Sequence, residues 1–177
     1  MLDAPEGIFF LPFSRTGTHD STMSKTNAIR ILESKGIRFA TSEYEVNEEE
    51  LDAVSVAKKI GAQPETVFKT LVTIGDKTGH TVFVIPGNCE LDLKKAAQVS
   101  GNKKIEMIKM KDLLPVTGYI RGGCSPIGMK KLFPTYIDET AQLYDMIHVS
   151  PGLRGLQVAL SPHDLTDLID AQYADLV

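Results

Sequence analysis

The spacing of apolar residues divides residues 23–177 into helices and strands, and no repeat or low-complexity tract interrupts the pattern. A helix with one buried stripe has apolar residues three and four positions apart, whereas a half-buried strand alternates every second residue. Helical spacing occurs in five segments, which are residues 23–36, 53–60, 91–101, 107–114 and 161–170. Gly61 is placed to end the second of these helices and Asp92 to cap the third.

Strand patterns fill the intervals between the helices. They occur at residues 37–46, 65–75, 81–86, 135–138, 146–150 and 156–160, and a short strand is expected at the start of "TGYIRGGCSPIG", residues 117–128. The polar turn "GDKTGH" joins the second and third strands, so these two are expected to pair as a hairpin. This mixture of elements predicts an α+β fold with a mixed, largely antiparallel sheet.

One domain of residues 23–177 is predicted, preceded by a flexible extension of residues 1–22. A chain of 177 residues with 42% hydrophobic content is ordinary for one globular domain. The extension contains "IFFLPF" without a basic region before it or a long apolar core, which makes a signal peptide a poor fit. The alternative is that Phe9, Phe10 and Phe13 dock on a partner.

Composition argues against several kinds of site. No run of about 18 apolar residues predicts a membrane helix, so no membrane association is expected. Two cysteines, Cys89 and Cys124, are too few for a disulfide framework, and four scattered histidines lack metal-ligand spacing. We therefore expect a cytoplasmic protein with neither a metal ion nor another cofactor.

Positive charge is concentrated in residues 94–131, although the whole chain has a net charge of −4. This segment holds nine Lys and Arg residues against two acidic ones, a local charge of +7, which leaves −11 for the remainder. Such asymmetry favours a surface that binds a polyanion. A solvated lysine-rich surface without a partner fits the same pattern equally well.

Lys69 interrupts the apolar strand "ETVFKTLVTIG". The two-residue period of a strand places it on one face with Val67 and Leu71, and places Phe68 and Val72 on the other. An ammonium between two apolar layers is costly unless an anion or a water-filled pocket receives it, and a pocket lysine can stabilise a developing oxyanion. The alternative from the pattern alone is an edge-strand lysine that extends to solvent.

Two glycine-containing turns could approach a ligand closely. In "TGYIRGGCSPIG", Gly122 and Gly123 expose backbone N–H groups, but the motif matches neither a phosphate-binding loop nor a nucleophile elbow. Cys124 and Ser125 could act as nucleophiles, although no neighbouring residue offers a base. In "VSPGLRGLQV", Arg154 suits a carboxylate or a phosphate, or is simply solvated.

Four segments taken together resemble the YbaK/EbsC family of aminoacyl-tRNA editing proteins. They are "VFKTLV", "LDLKKAA", "TGYIRGGCSPIG" and "SPGLRGL", and the likeness runs from about Asn27 to the C-terminus. The resemblance implies a compact domain with a central, barrel-like mixed sheet and a cleft for the charged 3′ end of a tRNA. The similarity points to the branch that deacylates Cys-tRNA(Pro), which is related to the editing domain of bacterial prolyl-tRNA synthetases.

The resemblance also implies which residues act. The family's essential lysine corresponds to Lys69, which is expected to be catalytic and to open on a cleft near Gly122 and Gly123. The implied substrate-binding residues are Tyr44, Thr70, Gly122, Gly123, Ser125, Pro126, Ser150 and Arg154. No cofactor is implied, and the implied partners are mischarged tRNA and, as a second candidate, prolyl-tRNA synthetase. In the cysteinyl branch the substrate's own thiol attacks the carbonyl, so no enzyme nucleophile is needed.

Two features depart from the family's pattern. The turn that commonly reads Ser-Gly-Gly-Lys-Arg-Gly has Pro151, which removes an N–H group, and Leu153, which removes a cation. Gln157 stands where some relatives have an aspartate, which weakens any proposal of a carboxylate base there. Three alternatives stay open: editing of Ala-tRNA(Pro), a non-catalytic module that binds tRNA or a synthetase, and a hydrolase that uses Cys124.

Overall fold

The structure, a computed structural model, describes residues 25–177, and the predicted extension of residues 1–22 lies outside this part of the chain. The helices in it are α1 (Asn27–Ser34), α2 (Ala53–Ile60), α3 (Leu93–Val99), α4 (Met110–Thr117) and α5 (Pro162–Leu168). The strands are β1 (Phe39–Glu43), β2 (Phe68–Gly75), β3 (Gly79–Pro86), β4 (Ile105–Met107), β5 (Thr135–Asp138), β6 (Ile147–Val149), β7 (Leu156–Leu160) and β8 (Gln172–Ala174).

Polar side chains cap the starts of four helices. The Asp92 carboxylate accepts hydrogen bonds from the Lys94 and Lys95 backbone N–H groups at 2.8 and 3.1 Å, as predicted for α3. The corresponding residues of α1, α2 and α5 are Thr26, Asp52 and Ser161. Each cap satisfies an N–H group of the first turn that has no partner within its own helix.

The strands form two sheets that meet at one point. In the first sheet the order is β1-β7-β6 and both pairs are antiparallel. In the second the order is β4-β2-β3-β5-β8, where β2 is antiparallel to β3 and β4 and β5 is parallel to β3 and β8. An isolated bridge between Val67 and His148 joins the two sheets. The predicted mixed fold is confirmed, with two joined sheets in place of a closed barrel.

The predicted hairpin of β2 and β3 positions Lys69. The two strands pair along their whole length, with Lys69 opposite Ile85 and Gly75 opposite Gly79. On its other side β2 pairs with β4 only at residues 73–75. Between the Val67–His148 bridge and β4, residues 69–71 of β2 therefore have a strand neighbour on one side only.

Four segments differ from the sequence-based prediction. α4 continues through Pro115, because the carbonyl that loses its partner there belongs to the exposed Lys111, where water can replace the bond. No strand forms over residues 117–120, since Gly118 ends α4 with a φ of 84° and the chain turns away. The strands β4 and β8 were not predicted, because three residues are too few to show a period.

Two apolar clusters hold these elements together. The larger one contains Phe68 and Val72 from one face of β2 together with Leu165 from α5. The smaller one contains Phe83 and residues of α3, and Leu71 packs against it from the other face of β2. The alternation predicted for Phe68, Leu71 and Val72 is therefore confirmed.

Replacement of Asp138 by alanine tests the anchoring of the C-terminal segment. Asp138 is 1% exposed, and its carboxylate accepts hydrogen bonds from the Leu176 and Thr140 N–H groups at 3.0 and 3.1 Å. Asp138→Ala should lower the free energy of unfolding by about 3 kcal/mol, because it leaves the buried Leu176 N–H and the partly buried Thr140 N–H without their acceptor. Urea denaturation measures this change. The exposed Asp145→Ala is the matched control, and an equal effect of both substitutions would contradict the assignment.

Candidate active site

A cavity of about 570 Å³ lies against the free edge of β2. Its walls come from the first half of β2, the start of α2, the loop after β3, the start of α4 and the loop around Gly122. Because β4 covers only residues 73–75, side chains from both faces of β2 reach the cavity around this edge. Polar residues in the lining include Lys69, Thr70, Cys124, Ser150 and Gln157.

The free edge also presents backbone groups to the cavity. The Val72 carbonyl accepts a hydrogen bond from the Ile108 N–H at 3.0 Å, immediately beyond the end of β4. In a strand, every second residue directs its N–H and C=O groups to the same side. Thr70 therefore directs its backbone groups to the side of Val72, where no strand covers it.

Lys69 places its ammonium at the rim of this cavity. Its side chain is 25% exposed, and Nζ donates a hydrogen bond to the Gly87 carbonyl at 3.3 Å. Glu90 Oε1 lies 3.6 Å from the same nitrogen. An ammonium has three N–H donors, so at least one remains for a ligand. The prediction that Lys69 opens on a cleft shared with Gly122 is confirmed, whereas Gly123 does not line that cleft.

Gly87 holds the lysine through its backbone and leaves no room for a side chain of its own. Its N–H donates to the Val67 carbonyl at 2.7 Å. A Cβ on Gly87 would lie 2.4 Å from the Ala53 Cβ and 2.7 Å from the Val67 carbonyl oxygen. Sequence reasoning missed this residue, although the hairpin register that places Lys69 opposite Ile85 also brings residue 87 beside Val67.

Arg154 packs against Gly122 and is not part of the cavity lining. Its Nη1 donates to both Glu48 carboxylate oxygens at 3.0 Å, and its Nε donates to the Arg121 carbonyl at 2.9 Å. Gly122 lies between this side chain and Leu51, because a Cβ there would be 3.3 Å from Arg154 Nε and 3.4 Å from Leu51 Cβ. The guanidinium thus links three loops that meet at Gly122.

The predicted site residues divide into two groups by location. Those that line the cavity are Lys69, Thr70, Gly122 and Ser150. Ser125 is fully buried, and its Oγ accepts a hydrogen bond from a backbone N–H of its own loop at 3.1 Å. Pro126 lines a separate small pocket beside α1, and Tyr44 lines an open groove along residues 43–50. The structure therefore brings together about half of the predicted set.

Two lining residues carry buried polar atoms that have no hydrogen-bond partner within residues 25–177. They are Thr70 Oγ1 and Gln157 Oε1, and Gln157 is only 5% exposed. A buried polar atom left unpaired costs about 1–3 kcal/mol, so such atoms at a cavity wall favour a bound polar group or water. Gln157 was not predicted as a site residue, because its sequence position indicated only the loss of a carboxylate.

Comparison with known proteins identifies the kind of site. The family model of the aminoacyl-tRNA editing domain matches residues 47–168. The chain belongs to this family. The resemblance inferred from the four sequence motifs is therefore confirmed.

Individual relatives agree with membership of the editing family. A protein of Enterococcus faecalis, provisionally named Cys-tRNA(Pro)/Cys-tRNA(Cys) deacylase EbsC, is 54% identical over 155 residues, which cover 88% of this chain and 94% of that protein. The crystal structure of a provisionally named trans-editing enzyme for prolyl-tRNA synthetase has a TM-score of 0.74 and 28% identity, and covers 86% of this chain and 98% of its own. A proline–tRNA ligase of Shouchella clausii is 30% identical over 82 residues, which are 46% of this chain and 14% of the ligase.

The described cavity residues of this editing domain include no activated nucleophile. Cys124 lines the cavity, but burial raises the pKa of its thiol to about 12. Ser150 Oγ accepts a hydrogen bond from the Gly152 N–H at 3.2 Å and is not paired with a base. Over residues 25–177 the structure contains no cluster of three side chains suited to a metal ion, and no helix long and apolar enough to cross a bilayer.

Alkylation tests the assignment of Cys124 as an inert thiol. In a Cys89→Ser background, iodoacetamide should modify Cys124 of the folded protein about a thousandfold more slowly at pH 7.5 than in the unfolded chain. The reason is that burial moves the pKa from 9.0 to about 12, which depletes the reactive thiolate, and the rate should rise as the pH rises. Mass spectrometry follows the reaction, and Cys124→Ser provides the blank. Equal rates in folded and unfolded protein would contradict the assignment.

Proposed function

We propose that this editing domain acts in trans as a deacylase that removes cysteine from mischarged tRNA(Pro). The observation that carries the proposal is the Lys69 ammonium, held at the rim of a cavity that also contains the free edge of β2. The relative with 54% identity is provisionally named a Cys-tRNA(Pro)/Cys-tRNA(Cys) deacylase, which supports the same substrate class for this chain.

The distribution of charge supports approach of the tRNA from the side of α4. Met110 and Arg121 line the cavity, and Lys109 and Lys111 flank Met110 as exposed side chains. A separate open groove of about 910 Å³ is lined by five glutamates of residues 43–50 and would repel a phosphate backbone. The cations beside the cavity are therefore proposed to contact the phosphates next to the charged 3′ end.

The substrate thiol supplies the nucleophile in the proposed reaction. After losing its proton to solvent, the sulfur forms a bond to the carbonyl carbon of its own cysteinyl group. The ester C–O bond breaks, and its electron pair leaves with the ribose oxygen, which takes up a proton. Water then opens the cyclic thioester and frees cysteine. The protein has to hold the thiol in the attacking geometry and to stabilise the charge that develops.

We assign the stabilisation of this developing charge to Lys69 and to the backbone N–H of Thr70. Negative charge collects on the carbonyl oxygen as the sulfur attacks, and donors positioned in advance stabilise it without reorganisation. Lys69 is held by the Gly87 carbonyl, and Thr70 lies on the uncovered edge of β2. Neither group needs to act as a base or a nucleophile, because the substrate supplies its own thiol. The raised pKa of the Cys124 thiol agrees with a cavity that does not supply a nucleophile.

The other predicted residues are proposed to act in two ways. Thr70, Gly122 and Ser150 are proposed to contact the aminoacyl end, because they line the cavity. Those proposed to hold the surrounding loops are Tyr44, Gly123, Ser125, Pro126 and Arg154. A complex with prolyl-tRNA synthetase is also proposed, because an editing protein bound to the synthetase would meet the mischarged tRNA as the synthetase releases it.

Replacement of Lys69 tests the mechanism directly. Lys69→Ala should reduce the single-turnover rate constant for deacylation of Cys-tRNA(Pro) by about 10²–10³-fold, the loss typical of removing one oxyanion donor. Single-turnover assays with radiolabelled cysteine measure the rate, and circular dichroism shows whether the fold is kept. Lys77→Ala, in the exposed turn of the same hairpin, is the matched control and should react normally. Turnover close to normal in Lys69→Ala would remove Lys69 from the mechanism.

A comparison of amino acids on one tRNA tests the role of the substrate thiol. Cysteine on tRNA(Pro) should be released at least about tenfold faster than serine or alanine, because a hydroxyl is a weaker nucleophile than a thiol and a methyl group is none. The measured rates are corrected for spontaneous hydrolysis. Equal rates for all three would contradict substrate-thiol chemistry, and faster release of alanine would indicate Ala-tRNA(Pro) editing. Binding without any turnover would indicate a non-catalytic module.

A further inference from the structure

The cavity has to receive a cation as well as an ester. The α-amino group of a peptide has an ordinary pKa of about 8, and an adjacent ester lowers it towards neutrality, so a substantial fraction of the aminoacyl ester carries an ammonium at neutral pH. An ammonium that enters a partly enclosed site loses water and needs acceptors in exchange. The charged side chains of the lining are the cations Lys69 and Arg121 and the carboxylates Asp52 and Glu90. Asp52 and Glu90 are therefore the two charged side chains of the lining that could accept a hydrogen bond from the substrate ammonium.

The Asp52 carboxylate is already occupied by its own helix. Oδ1 accepts a hydrogen bond from the Ser55 N–H at 2.9 Å, and Oδ2 accepts one from the Ser55 hydroxyl at 2.7 Å. These bonds cap α2, and the bond from the Ser55 hydroxyl is the main cause that lowers the pKa of the Asp52 carboxyl. A ligand that took this carboxylate would uncap the helix.

Glu90, in contrast, does not cap a helix. It extends from the loop between β3 and α3, and its side chain is 97% exposed. Its contact with Lys69 Nζ, at 3.6 Å, is an exposed ion pair, and such pairs contribute little to stability. The Glu90 carboxylate can therefore exchange this partner for another cation at low cost.

The spacing of Lys69 and Glu90 matches the two polar groups of an aminoacyl ester. The carbonyl oxygen and the α-nitrogen stand on neighbouring carbons, so they lie about 3 Å apart. Lys69 Nζ and Glu90 Oε1 are 3.6 Å apart, and their charges are complementary to that pair. An ester whose carbonyl oxygen meets Lys69 thus brings its ammonium within reach of Glu90.

We propose that Glu90 binds the α-ammonium of the aminoacyl group and releases Lys69 to the carbonyl oxygen as it does so. This inference rests on the proposed function. Before binding, the carboxylate is paired with Lys69, and in the complex the substrate ammonium takes the place of the lysine. The site then selects esters with a free α-amino group and discriminates against esters whose α-nitrogen is acylated, a class that includes peptidyl-tRNA.

The test combines the variant Glu90→Gln with a substrate analogue that lacks the α-amino group. Wild-type protein and Glu90→Gln are each assayed for kcat/KM on cysteinyl-tRNA(Pro) and on 3-mercaptopropionyl-tRNA(Pro), which keeps the thiol and adds no bulk. All rates are divided by those of spontaneous hydrolysis, because the amine also activates the ester. Wild-type protein should favour the amine-bearing substrate by up to about fivefold, the value of an exposed ion pair, and Glu90→Gln should lose that preference. Glu139→Gln, an exposed carboxylate outside the cavity lining, should keep it.

The two substrates separate a role in binding from a role in holding Lys69. If Glu90 binds the ammonium, Glu90→Gln loses activity on cysteinyl-tRNA(Pro) and keeps it on the amine-free ester. An equal loss on both substrates would mean that Glu90 acts only through Lys69, and no loss on either would mean that it does not act; both results overturn the inference. Absence of wild-type turnover on both substrates would instead overturn the proposed function, and this inference with it.

Discussion

The shortness of β4 is the constraint on which the site depends. Because β4 pairs with β2 only at residues 73–75, residues 69–71 of β2 pair with β3 alone. An uncovered sheet edge normally invites unwanted pairing, since its N–H and C=O groups lack partners. Here α2 and the loop around Gly122 surround the edge, so that its backbone groups face a cavity. One strand thereby supplies both the Lys69 ammonium and the unpaired groups of Thr70.

The surroundings of Lys69 make a cation acceptable in an apolar strand. Its stem lies on the face of β2 that carries Leu71, while its ammonium stays one quarter exposed and bonded to the Gly87 carbonyl. A backbone carbonyl stabilises the ammonium without introducing a second buried charge, so the desolvation of an ion pair is avoided. The nearby Glu90 is fully hydrated and free to change partner. The lysine is therefore held in place by a neutral group, and its charged partner is an exposed side chain.

The basic segment of residues 94–131 shows why charge has to be located as well as counted. Lys95 is paired with Asp175 at 2.7 Å, and Lys104 is paired with Glu106. The Lys95 pair reduces the field that the segment's net charge of +7 implies, whereas Glu106 belongs to the segment and is already counted in that charge. The exposed cations beside the cavity are Lys109, Lys111 and Arg121. Because screening limits exposed charges to about 8–10 Å at ordinary ionic strength, those nearest to the cavity matter most for a polyanionic substrate.

Features with a local cause could be predicted from the sequence. The cap at Asp92 and the hairpin turn between Gly75 and Gly79 depend on residues a few positions apart, and the two faces of β2 follow from its period of two. The sequence motifs also identified the family, because several of them occur in the same order. The role of Gly87 was within reach of the same reasoning, because the register of the hairpin alone places it beside Val67.

The sequence by itself thus determined most of the elements, the family and the position of Lys69 within its strand, whereas tertiary structure decided what surrounds that lysine. Arg154 was predicted to meet a ligand, and its partner in the folded chain is Glu48, which lies 106 positions away in the sequence. The position of Glu90 beside Lys69 likewise depends on how the loop after β3 folds back on β2. Local propensities and hydrophobic periods act over a few residues. The partners of a charged side chain in a cavity depend on which loops converge there, and only the packed chain establishes that.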